Sequence, residues 1–267
     1  MRPVVAPAAL VAAALLAAAP ARAERVGAEY AVYALGIQIM EVRTVFDTNE
    51  RGYGLEFSSR LRGPPTVMMG DARQTTQVTG TWTSGGVQPQ RYDASGVWRG
   101  DPRRTTMDWN GAQPVIRAMV PPNEGEREEV TPAQQRGTID SLSAIALLVR
   151  QVQRDGRCDA TGNIYDGRRL TTLTARTERW EMLPPARGEW SGRALRCAFE
   201  GRLVAGFHKD NNGPEARRPT QGTAWLAEVV PGAPPIPVRI ETQTRWFGTM
   251  SAHLVAARPV SAQASAR

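Results

Sequence analysis

The stretch 139–153, Ile-Asp-Ser-Leu-Ser-Ala-Ile-Ala-Leu-Leu-Val-Arg-Gln-Val-Gln, constrains this chain most. It is the one long segment beyond the N-terminus with a helical pattern. Leu142, Ile145, Leu148, Val149 and Val152 recur at the spacing of one helix face. Asp140 is placed to cap it, its carboxylate accepting from amides two or three residues on. Gly156 follows the last turn as a C-terminal stop. Ala144, Ala146 and Leu147 carry apolar surface round the middle turn, and a helix apolar nearly all round is normally buried. Almost everything else reads as short strands. The expected fold is therefore mainly β (α+β): a single domain in which a curved antiparallel sheet or open β-barrel wraps around one central helix at 140–153.

The strand pattern is clearest at 53–61. Tyr53, Leu55, Phe57 and Leu61 share one face, and Gly54, Glu56, Ser58 and Arg60 the other. Such alternation marks a sheet with one buried and one wet side. Gly36 marks a hairpin or a bulge, Ser84-Gly85-Gly86 a turn, and Asp166-Gly167 a two-residue turn of the hairpin type. Leu195, Cys197, Phe199 and Leu203 alternate with Arg196, Glu200 and Arg202, which turns Cys197 toward the core. Val238, Ile240 and Trp246 share a face opposite Arg239, Glu241, Gln243 and Arg245.

The first residues read as a targeting segment. Arg2 begins it, Val4 to Ala19 is apolar, and Ala21-Arg22-Ala23 is a small-x-small cleavage site. The run is mostly alanine and shorter than the roughly 20 apolar residues of a membrane span. We expect a cleaved signal peptide at 1–23, one domain at 24–258, a frayed tail at 259–267 and a periplasmic location. No transmembrane segment is expected after cleavage.

Charge decides little. The chain carries +7, and Lys209 is its only lysine, so the rest of its 33 basic residues are arginine. No arginine block reaches the five or six like charges of an interaction tail. Export also argues against a nucleic-acid partner. Cys158 and Cys197 are the only cysteines. An even count in an exported chain reads as one disulfide.

Chemistry-bearing motifs are sparse. The two histidines, His208 and His253, stand in no nucleophile signature, and Ser141 and Ser143 sit where helix capping explains them. The loop His208-Lys209-Asp210-Asn211-Asn212-Gly213 misses the calcium pattern, which ends on a glutamate where this chain has Pro219. The expectation is no catalytic residues, no metal, no cofactor and no enzyme. Seven tryptophans remain, and aromatic walls can hold an apolar tail.

Tyr30, Gly36 and Ile37, the helix, Cys158, Ile164-Tyr165-Asp166-Gly167-Arg168-Arg169, Cys197, Trp225-Leu226, Pro237-Val238-Arg239-Ile240 and Gly248 together resemble one bacterial envelope family. It is catalogued as domain of unknown function 3108. The resemblance implies an exported, mainly antiparallel β protein whose architecture is similar to the periplasmic lipoprotein carriers. It brings no activity and no site residues. Two functions follow as expectations. One is a non-enzymatic carrier for an apolar or amphiphilic envelope molecule, such as a lipid, held between the helix and the sheet by Phe57, Ala144, Leu148, Phe199, Trp225 and Trp246. The other is a scaffold acting through envelope-protein or cell-wall contacts.

Overall fold

The computed structural model describes residues 25–186, 188–244 and 248–261. The signal segment expected at 1–23 and Trp246 lie outside them. Thirteen strands form the body: β1 (Arg25–Ala34), β2 (Ile37–Thr48), β3 (Gly52–Leu61), β4 (Ala72–Thr83), β5 (Gly86–Trp98), β6 (Asp101–Asn110), β7 (Gln113–Val120), β8 (Ala160–Tyr165), β9 (Leu170–Leu183), β10 (Gly192–Ala205), β11 (Thr220–Ala227), β12 (Ile236–Thr244) and β13 (Gly248–Pro259). Helices α1 (Pro65–Met69), α2 (Pro132–Gln135) and α3 (Ser141–Asp155) interrupt them. The strands make one antiparallel sheet in the order β7-β6-β5-β4-β3-β2-β1-β13-β12-β11-β10-β9-β8. Strand β13 runs to Pro259, and the Val260 N–H donates to the Arg25 carbonyl.

One inward row shows how the sequence sets the register. Val26, Phe46, Leu55, Val78, Tyr92 and Met107 lie directly opposite one another from β1 across to β6, and all are buried. A slip of one residue in any strand would turn its apolar set to water. The sheet curls without closing: β7 and β8 are edges that do not pair with each other. The stretch 137–139 bridges the gap. Gly137 N–H donates to the Ala112 carbonyl and Trp109 Nε1–H to the Thr138 carbonyl on one side. On the other, Ile139 N–H donates to Asn163 and Tyr165 N–H to Ile139. A small second core of Tyr92, Met107, Val130, Tyr165, Leu170 and Ala205 packs across the same seam.

Helix α3 has the caps read from its sequence. The Asp140 carboxylate accepts from the amides of Leu142 and Ser143, both at 2.9 Å. Gly156 is left-handed, and its N–H closes on the Val152 carbonyl. Its place differs from the expectation. It lies across one open end of the sheet, packed on β3, β4, β5 and β8, rather than running through the middle. Only the stripe Leu142, Ser143, Ala146, Val149 and Val152 is buried, while Ala144, Ile145, Leu147 and Leu148 are half-buried. The cause is the polar second half, Arg150, Gln151, Gln153 and Arg154, which needs water on one side.

A buried polar chain fixes the helix. The Tyr53 hydroxyl donates to Ser143 Oγ at 2.7 Å, and Ser143 Oγ–H donates to Asp140 Oδ2 at 2.5 Å. Gly80 is required for this, because a Cβ there would stand 2.4 Å from the Tyr53 hydroxyl. Burial pushes the Asp140 carboxyl above its ordinary value, against the opposing pull of the donors from Ser143 and Leu142. Behind the helix, Cys158 and Cys197 form a disulfide with Cα atoms 6.2 Å apart, tying the helix exit to an inward position of β10.

Candidate functional site

The residues expected to wall a ligand cavity are not gathered into one. Phe57 on β3, Leu148 on α3 and Phe199 on β10 are half-buried at the margins of the main core. Ala144 is half-buried on the helix. Trp225 is a correction: it does not face inward. Its cross-strand partners are Arg196 and Arg239, whereas Ala224 and Leu226 on either side of it meet Cys197 and Leu195. Trp225 is buried on the other face of the sheet between those two guanidinium groups, each 5.3 Å from its ring, and its Nε1–H donates to Glu181. Phe199 borders an open groove of about 530 Å³, but Thr174, Arg176, Glu200, Gln221 and Glu241 make that groove polar.

A second groove, of about 430 Å³, runs along the helix at the end of the sheet that α3 covers. Turn residues Thr48, Asn49 and Glu50, Trp82 at the end of β4, Val149, Arg150, Gln153 and Arg154 of α3, and Gly232 and Pro234 line it. Trp82 is held from two sides: its Nε1–H donates to the Asn49 carbonyl at 2.7 Å, and its ring lies 4.8 Å from that of Tyr53. The Arg150 guanidinium stacks 4.2 Å over the Trp82 ring. Its Nη1 is buried without a hydrogen-bond partner among the described residues. Desolvation, and then the like charge of Arg154 one turn on, lower the Arg150 pKa. The groove thus sets the Trp82 ring beside the guanidinium groups of Arg150 and Arg154, with Glu50 also lining it.

A third arrangement lies on the outward face of β13. Glu189 Oε2 is 2.7 Å from His253 Nδ1, and His253 Nε2 is 2.9 Å from Ser251 Oγ. With Nδ1–H donated to the carboxylate, Nε2 is left to accept from the serine hydroxyl. Ser251 and His253 share a face because they stand two apart on one strand. Glu189 comes from the β9–β10 loop, which the Trp190 N–H also fastens to the Leu254 carbonyl at 2.8 Å. Sequence reading missed this chain, since nothing local links Glu189 to a strand some sixty residues on. Among the described residues no cluster of three or more metal-ligating side chains occurs.

A family model described as a protein of unknown function, DUF3108, matches residues 29–255. The chain belongs to that family. The DUF3108 match runs from within β1 to within β13 and so takes in α3, the disulfide and all three arrangements. No curated protein and no solved structure matches the chain. No described helix is long and apolar enough to cross a membrane.

Proposed function

We propose that this DUF3108 protein is an exported, non-enzymatic envelope protein that binds an amphiphile with an anionic head in the groove beside α3. The supporting observation is Arg150: stacked on Trp82, stripped of part of its water, close to Arg154 and joined to no acid among the described residues. An anionic head restores the hydrogen bonds and charge balance that guanidinium lacks. The half-buried Trp82 offers apolar surface to the first part of a tail. Export rests on the N-terminal segment and suits the Cys158–Cys197 bond, since disulfides persist in oxidising compartments.

The test is calorimetric titration with lysophosphatidylglycerol below its micelle concentration. Wild type should bind. Arg150→Ala should weaken binding about tenfold, the worth of a charge-assisted hydrogen bond, with its melting temperature little changed. No binding by wild type, or equal binding by both, would leave the scaffold reading in its place.

The Glu189–His253–Ser251 chain favours a second reading, acyl transfer, because its order of groups is that of a nucleophile, a base and an orienting carboxylate. A fluorophosphonate probe that labels wild type and spares Ser251→Ala would support it. An unlabelled protein would leave the chain as a latch that holds the β9–β10 loop on β13.

A further inference from the structure

The end of the sheet away from α3 carries apolar side chains at its turns, where water should favour polar ones. The β1–β2 turn is Leu35-Gly36, with φ of 52° and 77°. Two positive φ values make the mirror-image hairpin turn whose first position favours asparagine, aspartate or glycine. A leucine there is strained. It is also 72 % exposed, and Ile37 beside it is 50 % exposed. Neither the turn nor the core gains from leucine at this position.

The pattern repeats along the rim. The β3–β4 connection presents Val67 of α1, 89 % exposed. The β5–β6 turn, Arg99-Gly100, again has two positive φ values, and Trp98 beside it is 43 % exposed. Arg99 is exposed and makes no ion pair among the described residues. The opposite end of the same strands supplies the control: its turns are Asn49-Glu50-Arg51, Ser84-Gly85 and Gly111-Ala112, with no large apolar side chain. From the β1–β2 turn to the β5–β6 turn is four strand spacings, roughly 19 Å.

We propose that this rim docks on an anionic membrane surface, with Leu35, Ile37, Val67 and Trp98 set among the lipid headgroups. Separate apolar tips with polar residues between them do not form the continuous face, of about 1,200 Å² or more, that a stable protein complex buries. A deformable bilayer accepts each tip singly. A tryptophan beside an unpaired arginine matches the interfacial layer, where aromatic rings and cations are stable. Without Arg2 and Arg22 of the expected signal segment, 33 − 2 = 31 basic residues face 26 acidic ones, and this net charge of +5 draws the chain to anionic lipid. This docking goes beyond the binding groove and does not rest on it.

The experiment is sedimentation with vesicles of phosphatidylglycerol and phosphatidylcholine, against phosphatidylcholine alone. The variants are Leu35→Asn, whose asparagine suits the turn, and the double variant Leu35→Asn/Trp98→Ser. Wild type should pellet with the anionic vesicles only. Leu35→Asn should bind them about tenfold more weakly, the loss expected for one inserted leucine, and the double variant more weakly still, both keeping a wild-type circular dichroism spectrum. Three results would overturn the proposal: no pelleting of wild type, equal pelleting with neutral vesicles, or a double variant that binds as wild type does. The last would assign vesicle binding to the groove beside α3.

Discussion

At the α3 end of the sheet, Tyr53, Ser143 and Asp140 are joined in a buried chain, Val149 and Ala146 are packed shut, and a disulfide follows the helix. At the opposite end, the same hairpins finish in a strained leucine, a tryptophan and a valine open to water. The contrast separates two uses of apolar surface. At the helix end it is removed from water and contributes to stability. At the other it is left out, where it contributes nothing to the isolated fold and is free to meet another surface. The two ends should therefore respond oppositely to substitution.

The largest effect belongs to Val149→Asp. An unpaired charge in the buried stripe of α3 costs several kcal/mol, and the variant should lose its cooperative denaturant transition. A well-folded variant would mean that the helix end is looser than its packing implies. Next comes Cys197→Ser. The bond closes a loop across a sequence separation of 39, and the chain-entropy relation gives about 4 kcal/mol for such a loop. Urea unfolding with and without reductant should show the same loss in wild type, and none in the variant.

Leu35→Asn should act with the opposite sign. Relief of the left-handed leucine should raise stability by about 1 kcal/mol, read as a higher urea midpoint. A lower midpoint would place Leu35 among the stabilising contacts and remove the contrast. The smallest effect is an acid one. The Thr177 amide, then Arg157, then the Thr177 hydroxyl hold the exposed Asp159 carboxyl down, from an ordinary 3.8 to about 2. A depressed carboxyl contributes stability above its unfolded value, and that contribution fades as pH falls from 3.8 toward 2. Asp159→Asn should be less stable than wild type at pH 6, and the difference should vanish near pH 2. A difference that grows on acidification would refute the assignment.

Much of the scaffold was legible. The α3 boundaries follow from Asp140 and Gly156, whose capping chemistry is local. The inward turn of Cys197 follows from period-two alternation, and the disulfide from the even cysteine count. That alternation also placed Tyr53 and Leu55 in the core. The site was not legible, for physical reasons. Trp225 looked like a wall residue by its bulk, yet strand parity sets it opposite Arg196 and Arg239, whose guanidinium groups stack on its ring. The helix looked central because its first half is apolar all round. Arg150 and Arg154 decide its placement, and their partner Trp82 lies far away in sequence. The strain at Leu35 is a backbone angle, which no residue name announces.

Hydrogen–deuterium exchange of one wild-type preparation, alone, with monomeric lysophosphatidylglycerol and with phosphatidylglycerol vesicles, tests this division of labour most directly. The account predicts that the monomeric amphiphile slows exchange at 48–50 and 149–154, beside the helix groove. The vesicles should slow it at 34–37 and 98–100, on the far rim. Protection of the same end by both probes, or of neither end, would contradict it.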